Sequence, residues 1–176
     1  MLVSLQREID RRTGQIAAVH GNWPCRAGCD FCCRNLAEPP RLTHLEWLSV
    51  TVGLAQLPEQ IRAEIKARAT ETSRVCPFLD PDAGKCLIYE HRPIACRTYG
   101  FYIERDRGLY CKHIEERVDA GEMAEVVWGN VAGVDERLAA VGEKVPLSDW
   151  LRAFPAPAPI PASDCPGPDG GQSPAR

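Results

Sequence analysis

The sequence predicts a mostly α fold: a small helical domain with a short β-hairpin and a cluster of cysteines carried on loops. Three observations support that expectation. Apolar residues recur at helical spacing towards both ends of the chain. The middle is broken instead by proline, glycine and aspartate. Nine cysteines occur in 176 residues, eight of them between Cys25 and Cys111.

Taken in order, residues 2–20 place Leu2, Leu5, Ile9, Ile16 and Val19 near one helical face, with Gly14 weakening the middle. Trp23-Pro24 ends that helix, because the residue before a proline is pushed out of the α region. The chain then enters the cysteine-rich stretch, read as a loop leading to a short turn. Pro39-Pro40 separates it from a second helix. Thr43-His44-Leu45-Glu46 has capping-box spacing: the Thr hydroxyl takes the N–H three residues on, and the Glu reaches back. Leu45, Leu48, Val52 and Ala55 are expected to form its inward face. Pro58 suits the first turn of a third helix. That helix runs from Glu59 to Arg74 with Ile61, Ile65 and Ala69 inward, and with Glu64 and Arg68 as an i,i+4 pair.

Residues 76–100 are rich in turn signals. Cys86–Tyr89 reads as a short strand and Arg92-Pro93 as the start of a helical turn. Phe101–Ile103 and Leu109–Cys111 are expected to pair as a hairpin around Glu104–Gly108. From Gly121 to Val141 apolar residues return to helical spacing, though Gly129 and Gly133 each cost about 1 kcal/mol against alanine. Leu147–Phe154 forms a last helical turn. Residues 155–176 hold seven prolines and three glycines and read as a disordered tail. The folded unit is therefore a single domain over residues 1–154.

The net charge of −3 gives no general reason to expect nucleic acid or an anionic membrane as a partner. The apolar start is interrupted by Gln6, Arg7 and Glu8, so it does not form the h-region of a secretory signal. No stretch approaches the ~18 apolar residues of a membrane span. The expected compartment is the cytoplasm, where thiols stay reduced. There a dense cysteine pattern marks metal or redox chemistry more often than disulfides.

Cys25, Cys29, Cys32 and Cys33 fall within nine residues. Cys29-x-x-Cys32 is the spacing at which a tight turn aims two sulfurs at one ion. Cys33 follows Cys32 directly, so their side chains diverge. Cys76, Cys86, Cys96 and Cys111 complete a set of eight candidate metal ligands in a loop-built metal centre. One tetrahedral zinc takes four ligands. Two four-thiolate sites, a binuclear site, or one site plus structural thiols are all compatible with eight. Arg26, Arg34, Arg92 and Arg97 are placed to offset the charge of such a centre, and cations nearby favour the ligating thiolate. Each also reads as a surface arginine with a carboxylate partner. Cys165 lies in the tail.

Other chemistry is less well supported. Cys25-x-x-x-Cys29-x-Phe31-Cys32 resembles the radical S-adenosylmethionine signature, but the chain lacks the repeated strand–helix units of that barrel. His20, His44, His91 and His113 lack zinc-finger spacing, and only His113 stands near a cysteine as a spare ligand. Tyr89, Glu90 and Arg92 read first as structural, with Glu90 and Arg92 paired to hold the loop before Cys96. Asp30 reads as a turn former. No hydrolase triad or phosphate loop stands out.

Cys25-Arg-Ala-Gly-Cys29-Asp-Phe-Cys32-Cys33, Cys76-Pro77-Phe78-Leu79 and Gly84-Lys-Cys86-Leu-Ile88-Tyr89-Glu90-His-Arg92-Pro93-Ile-Ala-Cys96-Arg97, closed by Cys111, resemble the YkgJ-like or CxxCxxCC family of zinc- or iron-chelating domains. The first gap is three residues here rather than two. The resemblance implies metal binding, by zinc or iron, and no particular reaction or protein partner. Eight thiolates and the adjacent Cys32-Cys33 pair suit iron, including an iron–sulfur cluster, slightly better than zinc. A related cysteine cluster in enzymes that methylate flagellin lysines suggests the alternative of an iron–sulfur redox protein or modification enzyme.

Overall fold

The computed structural model describes residues 1–69, 73–105 and 107–154. The expected tail, with Cys165, lies outside the described residues. Among the described residues, eight α-helices and seven very short strands surround two hydrophobic cores.

The first core is organised by α1 (Leu2–His20), which buries Leu2, Leu5, Ile9, Thr13 and Ile16. Val19, expected to point inward, is exposed. Trp23 then turns the chain under α1 by stacking on Phe101 at 5.3 Å and tilting against Trp128 at 5.7 Å. The cysteine-bearing α2 is a single turn, Phe31–Arg34, with no buried residue.

The second core begins at β1 (Arg41–Leu42) and α3 (His44–Ala55). The capping box is present: the Thr43 hydroxyl accepts from the Glu46 N–H, and the Glu46 carboxylate accepts from the Thr43 N–H at 2.9 Å. The inward face differs from expectation. Trp47, Val50, Gly53 and Leu54 are buried, while Leu45, Leu48 and Val52 are exposed. This helix is apolar on both sides, so periodicity could not say which side faces in. The aromatic residues decide it: Trp47 stacks on Trp150 at 5.7 Å and takes Phe154 edge-on at 5.5 Å. α4 (Glu59–Arg68) buries Ile65 as expected. Arg68 meets Glu64 through the backbone, its Nε donating to the Glu64 carbonyl at 3.3 Å, while its Nη1 donates to the Leu79 carbonyl at 2.9 Å.

β2 (Leu79–Asp80) and β3 (Lys85–Cys86) form a minimal antiparallel pair. Tyr89–His91 is a 3₁₀ turn rather than the end of a strand. It leads to α5 (Ile94–Thr98). The hairpin is present with a tighter turn than expected: β4 (Tyr102–Glu104) pairs with β5 (Arg107–Gly108), which lies in the segment read as the turn, and Leu109–Cys111 is not a strand. After α6 (Lys112–Asp119), β6 (Gly129–Asn130) joins β4 in parallel, with Gly129 opposite Tyr102. A Cβ at Gly129 would run into the Tyr102 ring. With Gly129 and Asn130 in β6, the helix expected over 121–141 begins late: only α7 (Val131–Ala139) is helical, capped by the Asn130 side chain. β7 (Val145–Pro146) pairs with β1 and hands over to α8 (Leu147–Ala153).

The two cores are tied by a buried polar bridge. Glu46, 2% exposed, gives its second oxygen to the N–H of Ile94 at 3.0 Å. One carboxylate thus joins the start of α3 to the start of α5. The cysteines occupy the seam between the cores. Cys25 and Cys111 pack on the first, and Cys33, Cys76 and Cys86 on the second.

Candidate metal centre

The early cysteines are positioned by two tight turns. Cys25 lies against Gly100, its thiol donating to the Tyr99 carbonyl at 3.5 Å. Gly100 has φ +85°, and a Cβ there would sit 2.9 Å from the Cβ of Cys25. Glycine is required at that position on both counts. Cys29 is carried round by a turn in which its N–H donates to the Arg26 carbonyl at 3.0 Å, with Gly28 at φ +86°. Cys32 and Cys33 are consecutive on α2, and their thiols do not diverge as the sequence suggests but meet each other within hydrogen-bonding reach. Asp30 pairs with Arg34 at 2.6 Å, and Arg34 also donates to the Pro81 carbonyl at 2.9 Å, fastening α2 to the turn between β2 and β3.

The later cysteines come to meet these. The Cys76 N–H donates to the Cys33 carbonyl at 2.7 Å, and the Leu36 N–H to the Arg74 carbonyl at 2.8 Å. Cys86 stands opposite Leu79, whose N–H donates to the Cys76 carbonyl at 3.1 Å. Cys96 sits within α5, and Cys111 occupies the N-cap position of α6. The Gly100 N–H donates to the Leu109 carbonyl at 2.7 Å, bringing the approach to Cys111 alongside Cys25. The ring of Phe31 meets His113 edge-on at 4.6 Å, which seats α2 beside the first turn of α6. Sulfurs from opposite ends of the signature therefore share one neighbourhood. His113 spends its ring on Phe31.

The electrostatics describe the same neighbourhood. Burial, then the charges of Cys32, Cys29 and Cys111, push the Cys25 thiol up to about 12. The adjoining Cys33 thiol, with burial second, raises Cys32. Cys33 is pulled down by Cys32, but Cys76, burial and the charges of Cys76 and Cys86 outweigh this and hold it at about 12. Burial raises Cys86 against the opposing backbone at Ile88 and the Arg92 charge. Cys96 is open to solvent by accessible area, yet protein crowds it closely enough that burial raises its thiol, followed by Cys86, Cys33 and Cys32. The accessible area decides whether an ion can reach it, and the crowding decides its proton affinity. Tyr99 was not singled out from sequence, where its only signal is to lie three residues after Cys96. Burial raises its hydroxyl to about 12, with the thiols of Cys111, Cys32 and Cys25 adding to the effect.

Of the four arginines, Arg92 is the one whose charge opposes the rise at Cys25, Cys86 and Cys96. It lies over the Tyr89 ring at 3.9 Å, donates to the Tyr89 carbonyl at 2.9 Å and stands 3.8 Å from Asp10. Its partners are therefore Tyr89 and Asp10, where sequence reasoning expected Glu90. Arg97 is structural. Its buried guanidinium pairs with Asp10 at 2.6 Å and donates to the carbonyls of Arg92 and Glu90. Arg34 is taken by Asp30.

The eight cysteines among the described residues are all free thiols. Sulfur-only donors of this kind fit zinc or iron in chemical type. Among the described residues, no group of three or more Cys, His, Asp or Glu side chains is arranged to hold a metal ion. The thiols are thus gathered, but not closed into a coordination shell. Among the described residues no helix is long and apolar enough to cross a membrane.

No curated protein and no solved structure matches the chain. The pattern that defines the CxxCxxCC family, described as "Putative zinc- or iron-chelating domain", matches residues 24–119, just over half of the sequence. That span runs from the proline before Cys25 to the last residue of α6, so it takes in every thiol of the seam, and the chain belongs to the CxxCxxCC family.

Proposed function

We propose that this chain is a cytosolic metal-binding protein that holds iron, or zinc, through Cys25, Cys29, Cys32, Cys33, Cys76, Cys86, Cys96 and Cys111. The observation that carries the reading is the meeting of early and late cysteines on the seam between two cores, with the Cys76 N–H donating to the Cys33 carbonyl across 43 residues. Eight sulfurs exceed what one tetrahedral zinc needs, and this favours iron. Arg92 offsets the charge that thiolates bring to the seam. The raised thiols are protonated at neutral pH, so each one that ligates gives up a proton. Metal affinity therefore rises with pH.

The test is elemental analysis with an absorption spectrum on protein purified without oxygen. Iron–sulfur protein is brown with sulfur-to-iron charge-transfer absorption, and zinc protein is colourless. Protein that carries neither metal, and takes up neither after reduction, overturns the reading.

A further inference from the structure

The residues read from the sequence as the inward face of α3 face solvent in the single chain. Leu45, Leu48 and Val52 are 38%, 47% and 52% exposed, and Ala55 is exposed with them. Their spacing of three, four and three residues is that of alternating a and d positions, which puts all four on one side of the helix. Trp47, Val50 and Leu54 occupy the other side and are spent on the second core. Single exposed apolar residues are ordinary, but a continuous stripe marks a contact surface.

Charge and symmetry choose the occupant. The only carboxylate, lysine or arginine in α3 is Glu46, and it is buried. The stripe is flanked by Ser49 and Thr51, so a second copy of the same surface meets no like charge there. The stripe is also a mirror of itself about residue 50. Two copies of α3 laid antiparallel across a two-fold axis at that level set Leu45 against the partner's Ala55, and Leu48 against the partner's Val52. Each layer then pairs a larger side chain with a smaller one, an a position with a d position, as a two-helix seam requires. The nearest charged residues beyond the helix are Arg41 before it and Glu59 after it, both exposed. Antiparallel pairing brings these unlike charges to the same end, whereas parallel pairing would bring like to like.

We propose that a second copy of this chain docks on the stripe, α3 against α3, in a two-fold symmetric dimer. The proposal is independent of the metal-binding reading. α3 has 12 residues and is about 18 Å long. A contact of that length is smaller than the roughly 800 Å² per partner of a standard interface, so the dimer is weak and forms at high protein concentration.

The experiment is sedimentation of the full chain from low micromolar to near-millimolar concentration, with excess reductant so that no disulfide links two copies. The average mass is expected to rise towards twofold. Each substitution enters the interface twice, so Leu48→Glu weakens association by at least about tenfold, as does Val52→Lys. The double variant Leu48→Glu/Val52→Lys restores the rise, because each new carboxylate faces the partner's new lysine. Both positions are exposed, so helical circular dichroism is expected to stay unchanged. Should the double variant fail to fold, an equimolar mixture of the two single variants supplies the same opposed pair and is expected to associate. An unaltered chain that stays monomeric throughout overturns the proposal, whether later residues of the chain or another protein covers the stripe. Single variants that dimerise as before overturn it too. Loss in both single variants with no recovery in the double variant or the mixture overturns the antiparallel register.

Discussion

α1 and α2 make an instructive pair. α1 has 19 residues and buries five of them along one stripe. α2 has four residues and buries none. The first is a helix because water leaves its apolar face. An isolated single turn has no such support and is unfavourable by nucleation alone. α2 is held from outside, by the Cys33–Cys76 and Leu36–Arg74 backbone bonds and by Arg34 on Pro81. The comparison teaches that the frame of this protein is built by packing, whereas its cysteine seam is built by hydrogen bonds reaching across the chain.

The sharpest way to break the comparison is to remove the proposed metal. A structural zinc supplies roughly 10–16 kcal/mol of apparent binding energy, and α2 has no buried residue of its own. Chelation of reduced protein should deprotect the amides of residues 25–36 by at least a hundredfold in hydrogen exchange, while α1 keeps its protection. Equal loss in both regions would mean that the frame is no more independent than the seam. Next in size is Arg97→Ala at constant metal content. Breaking a pair with one fully buried charged partner costs about 3 kcal/mol, read as a lower urea midpoint at unchanged slope. A smaller loss, about 2 kcal/mol, is expected for Glu46→Ala. It removes a capping box and leaves the buried N–H of Ile94 without its acceptor. The smallest effect is a gain. Gly14 lies within α1, and a Cβ there meets nothing within 4 Å. Gly14→Ala should add about 0.5–1 kcal/mol without changing metal uptake. A loss in that variant would contradict the picture of α1 as a simple packed helix.

Parts of this structure were legible in the sequence for physical reasons. The stripe of α1 and the Thr43–Glu46 box are local signals, and local rules govern them. The early and late cysteines were legible as one group because thiols in that order have few other reasons to occur. The inward face of α3 was not, since Leu45, Leu48 and Val52 compete with Trp47, Val50 and Leu54 on hydrophobicity alone. The tryptophan contact that settles it comes from α8, more than ninety residues away. Gly129 was read as a weak point in a helix, because the Tyr102 ring that claims its missing side chain is distant in sequence. Tyr99 was hidden for the same reason, and Arg92 was one of four arginines among which the sequence could not choose, because the role of each depends on which thiols surround it.

Glu46 has a consequence for motion. Its two oxygens hold the opening turns of α3 and α5 at once, so neither turn can fray alone. An excursion that loosens the Thr43 end strips the acceptor from Ile94, two residues before Cys96. Breathing in the second core is thereby passed to a cysteine of the seam through one side chain, without any movement of the apolar contacts between them.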